Sequence, residues 1–256
     1  MAVKTDQQAV ARSSANKSES PDAHNNSITS WKEAPTRTLS AGGVEFAYRQ
    51  LGPSTGVPVV FLTHLAAVLD NWDPRVVDGI AAERRVITFD NRGVGASSGS
   101  TPRTIDEMAS DAVTFIRGLG FDQVDLFGFS MGGMIAQLIA REEPQLVRKM
   151  IIAGTGPAGG EGIEKVTRIS YLDTARALLT RHDPKQFLFF TRTSNGRRAG
   201  KEFLTRLEER TDDRDKAISI LDRRLPNSQL VLYPDAGHGG VFQFHQDFVK
   251  RSLEFL

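Results

Sequence analysis

From residue 38 the chain alternates short apolar runs with stretches of helical period, the pattern of a mostly parallel sheet covered by helices. The runs that read as strands are Val44 to Leu51, Val57 to Thr63, Arg85 to Phe89, Val124 to Phe127, Lys149 to Ala153 and Gln229 to Tyr233. Several are rich in Val, Ile, Leu and Phe without clean alternation, as expected of strands buried on both faces. The helices between them announce their starts. Asp73-Pro74 sets an N-cap residue ahead of a proline at the first helical position, and Thr104 with Glu107 forms a capping box. After that box Ile105, Met108, Ala109, Ala112, Val113 and Ile116 fall on one helical face, which predicts a helix packed on the sheet.

Two stretches depart from this rhythm. Residues 1–35 are rich in Ser, Asn, Gln, Lys and Asp and lack hydrophobic periodicity, which predicts a disordered polar tail. In that tail Asp6, Glu19 and Asp22 balance Lys4, Arg12 and Lys17, whereas transit peptides are poor in acids. Residues 161–219 have helical composition and no convincing strand, and read as a helical lid inserted into a domain spanning 36–256. From 165 to 210 there are eleven Lys+Arg against five Asp+Glu. A solvated helical face accounts for this excess better than an anion-attracting mouth.

Composition narrows the function. At 256 residues and 39% hydrophobic the chain builds a sizeable core. A net charge of +1 supplies no field to hold a phosphate backbone or an anionic membrane, so neither nucleic acid nor membrane is an expected partner. With zero cysteines there are no disulfides, thiolate zinc sites or iron-sulfur clusters, and the nucleophile of any covalent chemistry is oxygen or nitrogen. No apolar run reaches the roughly 18 residues of a membrane span, and the first residues hold no apolar core of a secretion signal. A cytoplasmic protein is expected.

The chemistry concentrates in Gly128-Phe129-Ser130-Met131-Gly132-Gly133. This G-x-S-x-G string follows the apolar strand Val124 to Phe127 and opens a helix, Met134 to Glu142, that Pro144 closes. Such a strand-turn-helix exposes a serine Oγ at a sharp turn above the sheet, with helix N–H groups behind it for a developing oxyanion. A serine hydroxyl needs a base. Of five histidines, His24 lies in the tail, His182 in the lid beside Asp183-Pro184, and His245 in the final amphipathic helix. His238, in Pro234-Asp235-Ala236-Gly237-His238-Gly239, follows the last strand and so falls at the carboxyl edge that carries Ser130. His238 is the expected base. His64 also follows a strand, and its expected task is to anchor a loop whose N–H, from Leu65 or Ala66, joins that of Met131 in an oxyanion hole; a second base at His64 is the lesser reading. The Asp90 to Ser97 loop is expected to wrap beneath the nucleophile turn and hold the site.

Taken in order, these segments resemble the α/β-hydrolase superfamily. The resemblance rests on H-L-A-A-V-L-D-N-W-D-P from His64, D-N-R-G-V-G-A-S-S-G from Asp90, the G-F-S-M-G-G elbow, G-T-G-P-A-G-G-E-G from Gly154, and the P-D-A-G-H-G terminus. It spans about residues 38–170 and 220–256 and implies an α/β-hydrolase fold and a Ser/His/acid hydrolase with a helical lid. The implied substrate is a small molecule, an ester or a related acyl or carbon-carbon compound, cleaved without a cofactor. Many relatives carry Gly directly after the oxyanion-loop histidine, where this chain has Leu65.

The implied acid is the larger departure. Family order is Ser, then Asp or Glu, then His, with the acid on a loop after the strand preceding the histidine strand. Between Gly156 and Gln229 no run has that form, so a strand-helix unit is expected to be missing near residue 219. Asp222, Glu161 and Glu164 are weak substitute acids; Asp235 is better placed to support the turn than the ring. Two alternatives accompany the esterase-like reading: a catalytically impaired scaffold that binds or interacts, and a cofactor-free perhydrolase built on the same serine and histidine. A dinucleotide fingerprint at Gly154-Thr155-Gly156-Pro157-Ala158-Gly159, with Asp173 beyond, fails because helical lid follows and Pro157 removes an N–H from the cradle. Histidines do not cluster at ligand spacing, so no metal is implied.

Overall fold

The computed structural model describes residues 30–156, 176, 177, 179, 182–210, 235 and 237–256. The expected strand at 229–233, the gap near 219, the lid portion 161–175, the three substitute acids and the first 29 residues lie outside these described residues.

Six strands, β1 (Arg37–Ala41), β2 (Val44–Leu51), β3 (Val59–Leu62), β4 (Val86–Phe89), β5 (Val124–Phe129) and β6 (Val147–Ala153), form one sheet in the order β1-β2-β4-β3-β5-β6. β4, β3, β5 and β6 run parallel, and every residue of β3, β4 and β5 is buried, which explains their unbroken apolar runs. β1 and β2 form an antiparallel hairpin, and β2 pairs antiparallel with β4. β1 is absent from the sequence reading because its Arg-Thr-Leu-Ser-Ala run is a largely exposed edge with no apolar signature. Its signal lies in the turn: Gly42 and Gly43 take φ of 58° and 78°, the two-residue connection that matches strand twist.

The helices are α1 (Pro74–Ala81), α2 (Ile105–Gly118), α3 (Met131–Glu142), α4 (Pro184–Phe189), α5 (Ser194–Leu207), α6 (Gly240–Gln243) and α7 (His245–Phe255). Both anticipated caps form: Asp73 accepts from the Arg75 N–H at 3.0 Å, and Thr104 Oγ1 accepts from Glu107 while the Glu107 carboxylate reaches back to the Thr104 N–H. α2 and α3 cover one sheet face, packing Met108, Ala112, Phe115, Ile135 and Leu138 on Val60, Leu62, Ile87 and Leu126. α1, α7, α4 and α5 cover the other, where Val76, Ile80, Phe203 and Phe248 meet Val59, Phe61, Val86 and Phe127. The period-two alternation of β3 thus feeds two separate cores.

Two sequence expectations are corrected here. Trp31 and Ala34, inside the stretch read as polar tail, are fully buried in the second core. Their anchor is non-local: the Trp31 N–H donates to Asp78 at 2.5 Å, and Arg210 donates to the Trp31 and Lys32 carbonyls. The basic stretch from 165 to 210 is not only a solvated face, because Arg206 and Arg210 are buried. Arg206 makes a two-pronged bond to Asp73 at 2.8 and 2.6 Å, and Arg210 approaches Asp70, which also accepts from Arg49. Net charge counts cannot reveal such cross-chain pairing.

Candidate active site

Ser130 stands between β5 and α3 with φ 56° and ψ −115°, a backbone conformation costly for any residue with a Cβ. The surroundings hold it there. Its N–H donates to the Ala153 carbonyl at 2.8 Å, its own carbonyl accepts from Gly133 at 3.0 Å, and a side chain at Gly132 would overlap the Leu62 carbonyl. The first turn of α3 is therefore jammed against the end of β3. α3 begins at Met131, three residues earlier than the sequence pattern suggests, because the turn feeds directly into helix. The Met131 N–H belongs to that first turn, where N–H groups lack intrahelical partners.

The carboxyl ends of the neighbouring strands β4, β3, β5 and β6 bring Asp90, His64, Ser130 and Gly154 to one edge. Asp90, fully buried, ties the loops together: its carboxylate accepts from the Leu69 and Ala96 N–H groups, and its carbonyl accepts from Ser97 Oγ. Asn91 reaches Thr63 at 3.4 Å. This loop braces the site from the β4 side.

His238 arrives over β6. A Cβ at Gly154 would meet the His238 carbonyl at 2.9 Å and its ring Cε1 at 3.2 Å, and Gly154 directly follows the residue that bonds Ser130. The chain is delivered there by Gly239, whose N–H donates to the Phe189 carbonyl at 2.6 Å. The imidazole lies against Phe129 and Phe189, with ring centroids 5.1 and 5.8 Å away. Crowding by protein lowers its pKa, to about 4. The residue is nevertheless exposed, so solvent and small molecules reach it. Neither the His238 ring nor Ser130 Oγ has a hydrogen-bond partner among the described residues.

His64 is almost fully buried at the mouth of β3. Its Nδ1 lies 2.8 Å from the Leu65 carbonyl, so Nδ1 carries the proton and donates. Burial pushes its pKa down to about 3, and the ring is neutral at ordinary pH. Leu65 is half-buried in this loop and Ala66 is exposed with φ 57°. Ala66, Ser130 and Asp235 are the non-glycine residues with left-handed φ among those described, and all three lie in loops flanking this edge. Strain collected in one place marks a site whose geometry is enforced by the surrounding fold.

Asp235 faces away from the His238 ring. Its carboxylate accepts from the hydroxyls of Thr191 and Thr193, both at 2.9 Å, which also hold it below the usual carboxylate range. It pins the His238 loop to the segment joining α4 and α5. Among the described residues no group of three or more His, Cys, Asp or Glu is arranged to hold a metal. Phe129 and Phe189 flank both histidines and Phe203 and Phe242 pack behind them, an aromatic box assembled from β5, α4, α5 and α6 that no single run of the sequence signals.

A serine on a strained turn between a parallel strand and a helix, with a histidine delivered to the same edge from far along the chain, is the arrangement of α/β hydrolases. The family model described as alpha/beta hydrolase fold matches residues 57–201, and the chain belongs to that family. Among solved structures, the alpha/beta hydrolase fold protein from Chitinophaga pinensis is similar, with a TM-score of 0.76 and 32% identity over 88% of this chain and 98% of that one. Among curated relatives, the non-heme chloroperoxidase of Streptomyces lividans is 32% identical over 120 residues, 46% of this chain and 44% of the relative. The 3-oxoadipate enol-lactonase 2 of Acinetobacter baylyi is 30% identical over 125 residues, 48% of this chain and 46% of the relative. The chain thus spans less than half the length of these curated relatives. Among the described residues no helix is long and apolar enough to cross a membrane.

Proposed function

We propose that the protein is a serine hydrolase that cleaves a small ester or related acyl compound, with Ser130 as nucleophile and His238 as base. The observation that carries this reading is the enforced φ of 56° at Ser130, beside the Gly154 position that His238 covers. A backbone held at this cost, on a serine, at the edge where a histidine arrives, is what covalent acyl transfer requires.

In this reading Ser130 Oγ attacks the substrate carbonyl as its proton passes to His238, and the carbonyl electron pair moves to oxygen. The Met131 N–H and a second N–H, from Leu65 or Ala66, receive the oxyanion. Collapse expels the leaving group with the proton from His238, and water then releases the acyl group by the same route. The lowered pKa keeps His238 unprotonated and ready to accept a proton at neutral pH.

The name of one relative, a lactonase, accords with this reading, and that of another, a chloroperoxidase, favours a second: a cofactor-free perhydrolase would form the same acyl-enzyme but release it to hydrogen peroxide instead of water. The impaired-scaffold reading draws on His238, which no carboxylate among the described residues contacts. A fluorophosphonate probe followed by intact mass tests all three. The expected result is one adduct on the wild type, none on Ser130→Ala, and at least about a hundredfold slower labelling of His238→Ala. Undiminished labelling of Ser130→Ala would refute the nucleophile, and a folded wild type that never labels would favour the scaffold. Partition of a model ester between acid and peracid separates hydrolase from perhydrolase.

A further inference from the structure

The mechanism leaves one buried group unused. His64 donates through Nδ1 to the Leu65 carbonyl, so its Nε2 is a bare lone pair. That atom is shut off from solvent and has no hydrogen-bond partner among the described residues. A buried acceptor left unpaired forfeits its hydration without compensation and calls for a reason. On the other side, His238 in its neutral form carries one N–H with no acceptor among the described residues.

The two rings share the same walls. His64 lies 5.5 Å from Phe129 and 5.0 Å from Phe189, and His238 lies 5.1 and 5.8 Å from the same two rings. The nearby acids point elsewhere: Asp235 is held by Thr191 and Thr193, and Asp90 by the Leu69 and Ala96 N–H groups. A buried acceptor and an exposed imidazole whose N–H no described residue accepts thus flank the same two aromatic rings, in a chain whose expected triad carboxylate is not among the described residues.

We infer that His64 is the positioning residue of the base: its Nε2 accepts the N–H of His238 when that ring turns toward Ser130, in the place where a triad would offer a carboxylate. The inference rests on the Ser130/His238 reading above. A change of side-chain rotamer at His238, an exposed residue, is all that this bond requires, and it forms in solution without bound substrate. With one His238 nitrogen bonded to His64, the other is the acceptor presented to Ser130 Oγ. The Oγ proton moves to that nitrogen as the Oγ–C bond forms, and later leaves with the alcohol; His64 gains and loses no proton. The groups facing His64 keep it in this role, since the positive charge of Lys185 from α4 and of a protonated His238 both oppose its protonation.

The test combines ¹⁵N-histidine NMR of the full-length chain with the pH profile of fluorophosphonate labelling, on the wild type, His64→Gln and His64→Leu. Glutamine retains an acceptor near the position of Nε2, whereas leucine retains only bulk. In the wild type the His64 Nε2 resonance is expected to show a hydrogen-bonded acceptor, and His238 a single dominant tautomer. His64→Leu should release that tautomer and slow labelling about tenfold, with the base limb of the profile displaced. His64→Gln should recover most of the rate. A bare lone pair at His64 in the wild type, an unchanged His238 tautomer in His64→Leu, or equal impairment of the Gln and Leu variants would overturn the inference. The NMR readout stands even if the wild type does not label, so failure of the hydrolase reading and failure of this one are distinguishable.

Discussion

The nucleophile side and the base side of the site are built by different physics. Around Ser130 the constraint is backbone against backbone: a strand register that aligns Phe129 with Ala153, an N–H bonded across to β6, and a glycine pressed on the Leu62 carbonyl. Around His238 the constraint is side chains from distant segments: Phe129 and Phe189 against the ring, Thr191 and Thr193 on Asp235, and Arg206 bonded to both Asp73 and the Phe242 carbonyl. The first kind is rigid and local, with few ways to adjust. The second is spread over many contacts between distant segments, so that no single one fixes the geometry alone.

Substitutions that strike one side at a time sharpen the contrast. Gly132→Ala has the largest expected effect: the new methyl overlaps a carbonyl fixed in the sheet, so stability should fall by about 4 kcal/mol in urea unfolding, with labelling lost as the turn deforms. A variant of wild-type stability would show that the turn is softer than its contacts imply. Arg206→Met strikes the base side. It strands the buried Asp73 carboxylate without its charge partner, and about 3 kcal/mol of stability should be lost while the Ser130 turn stays intact. The variant should therefore label more slowly but still label; complete loss of labelling in a folded sample would mean the two sides are not separable.

Asp78→Asn carries the smallest effect, and of opposite sign. Burial raises the Asp78 pKa from 3.8 to about 6, although it accepts the Trp31 N–H. The native state thus holds that proton more tightly than the unfolded chain, and this contribution is fully present below pH 3.8 and lost as pH rises through about 6. An amide oxygen keeps the Trp31 bond without ionising. Allowing for the partial exposure of the group, Asp78→Asn should stabilise by about 1 kcal/mol at pH 7, with no gain below pH 4. A gain independent of pH would assign it to another cause. His64 runs the other way: its lowered pKa gives stability that is present above 6.5 and lost as pH falls toward about 3. Thermal unfolding between pH 4 and 6.5 should therefore be less acid-sensitive in His64→Leu than in the wild type.

Local chemistry wrote much of this molecule legibly. The five described strands expected from apolar runs, the Asp73 and Thr104 caps, the Ser130 turn and the arrival of His238 at its edge all follow from short segments, because steric and hydrogen-bonding preferences act over a few residues. What tertiary structure alone decided is what pairs across long stretches of chain. Trp31 is core because Asp78 and Arg210 reach it, Arg206 is buried because Asp73 awaits it, and His64 and His238 share one aromatic box only once β3, β5 and α4 have packed. Composition counts charges and rings but not their partners. Pairing energy depends on distance and desolvation, and those quantities exist only after the chain has folded.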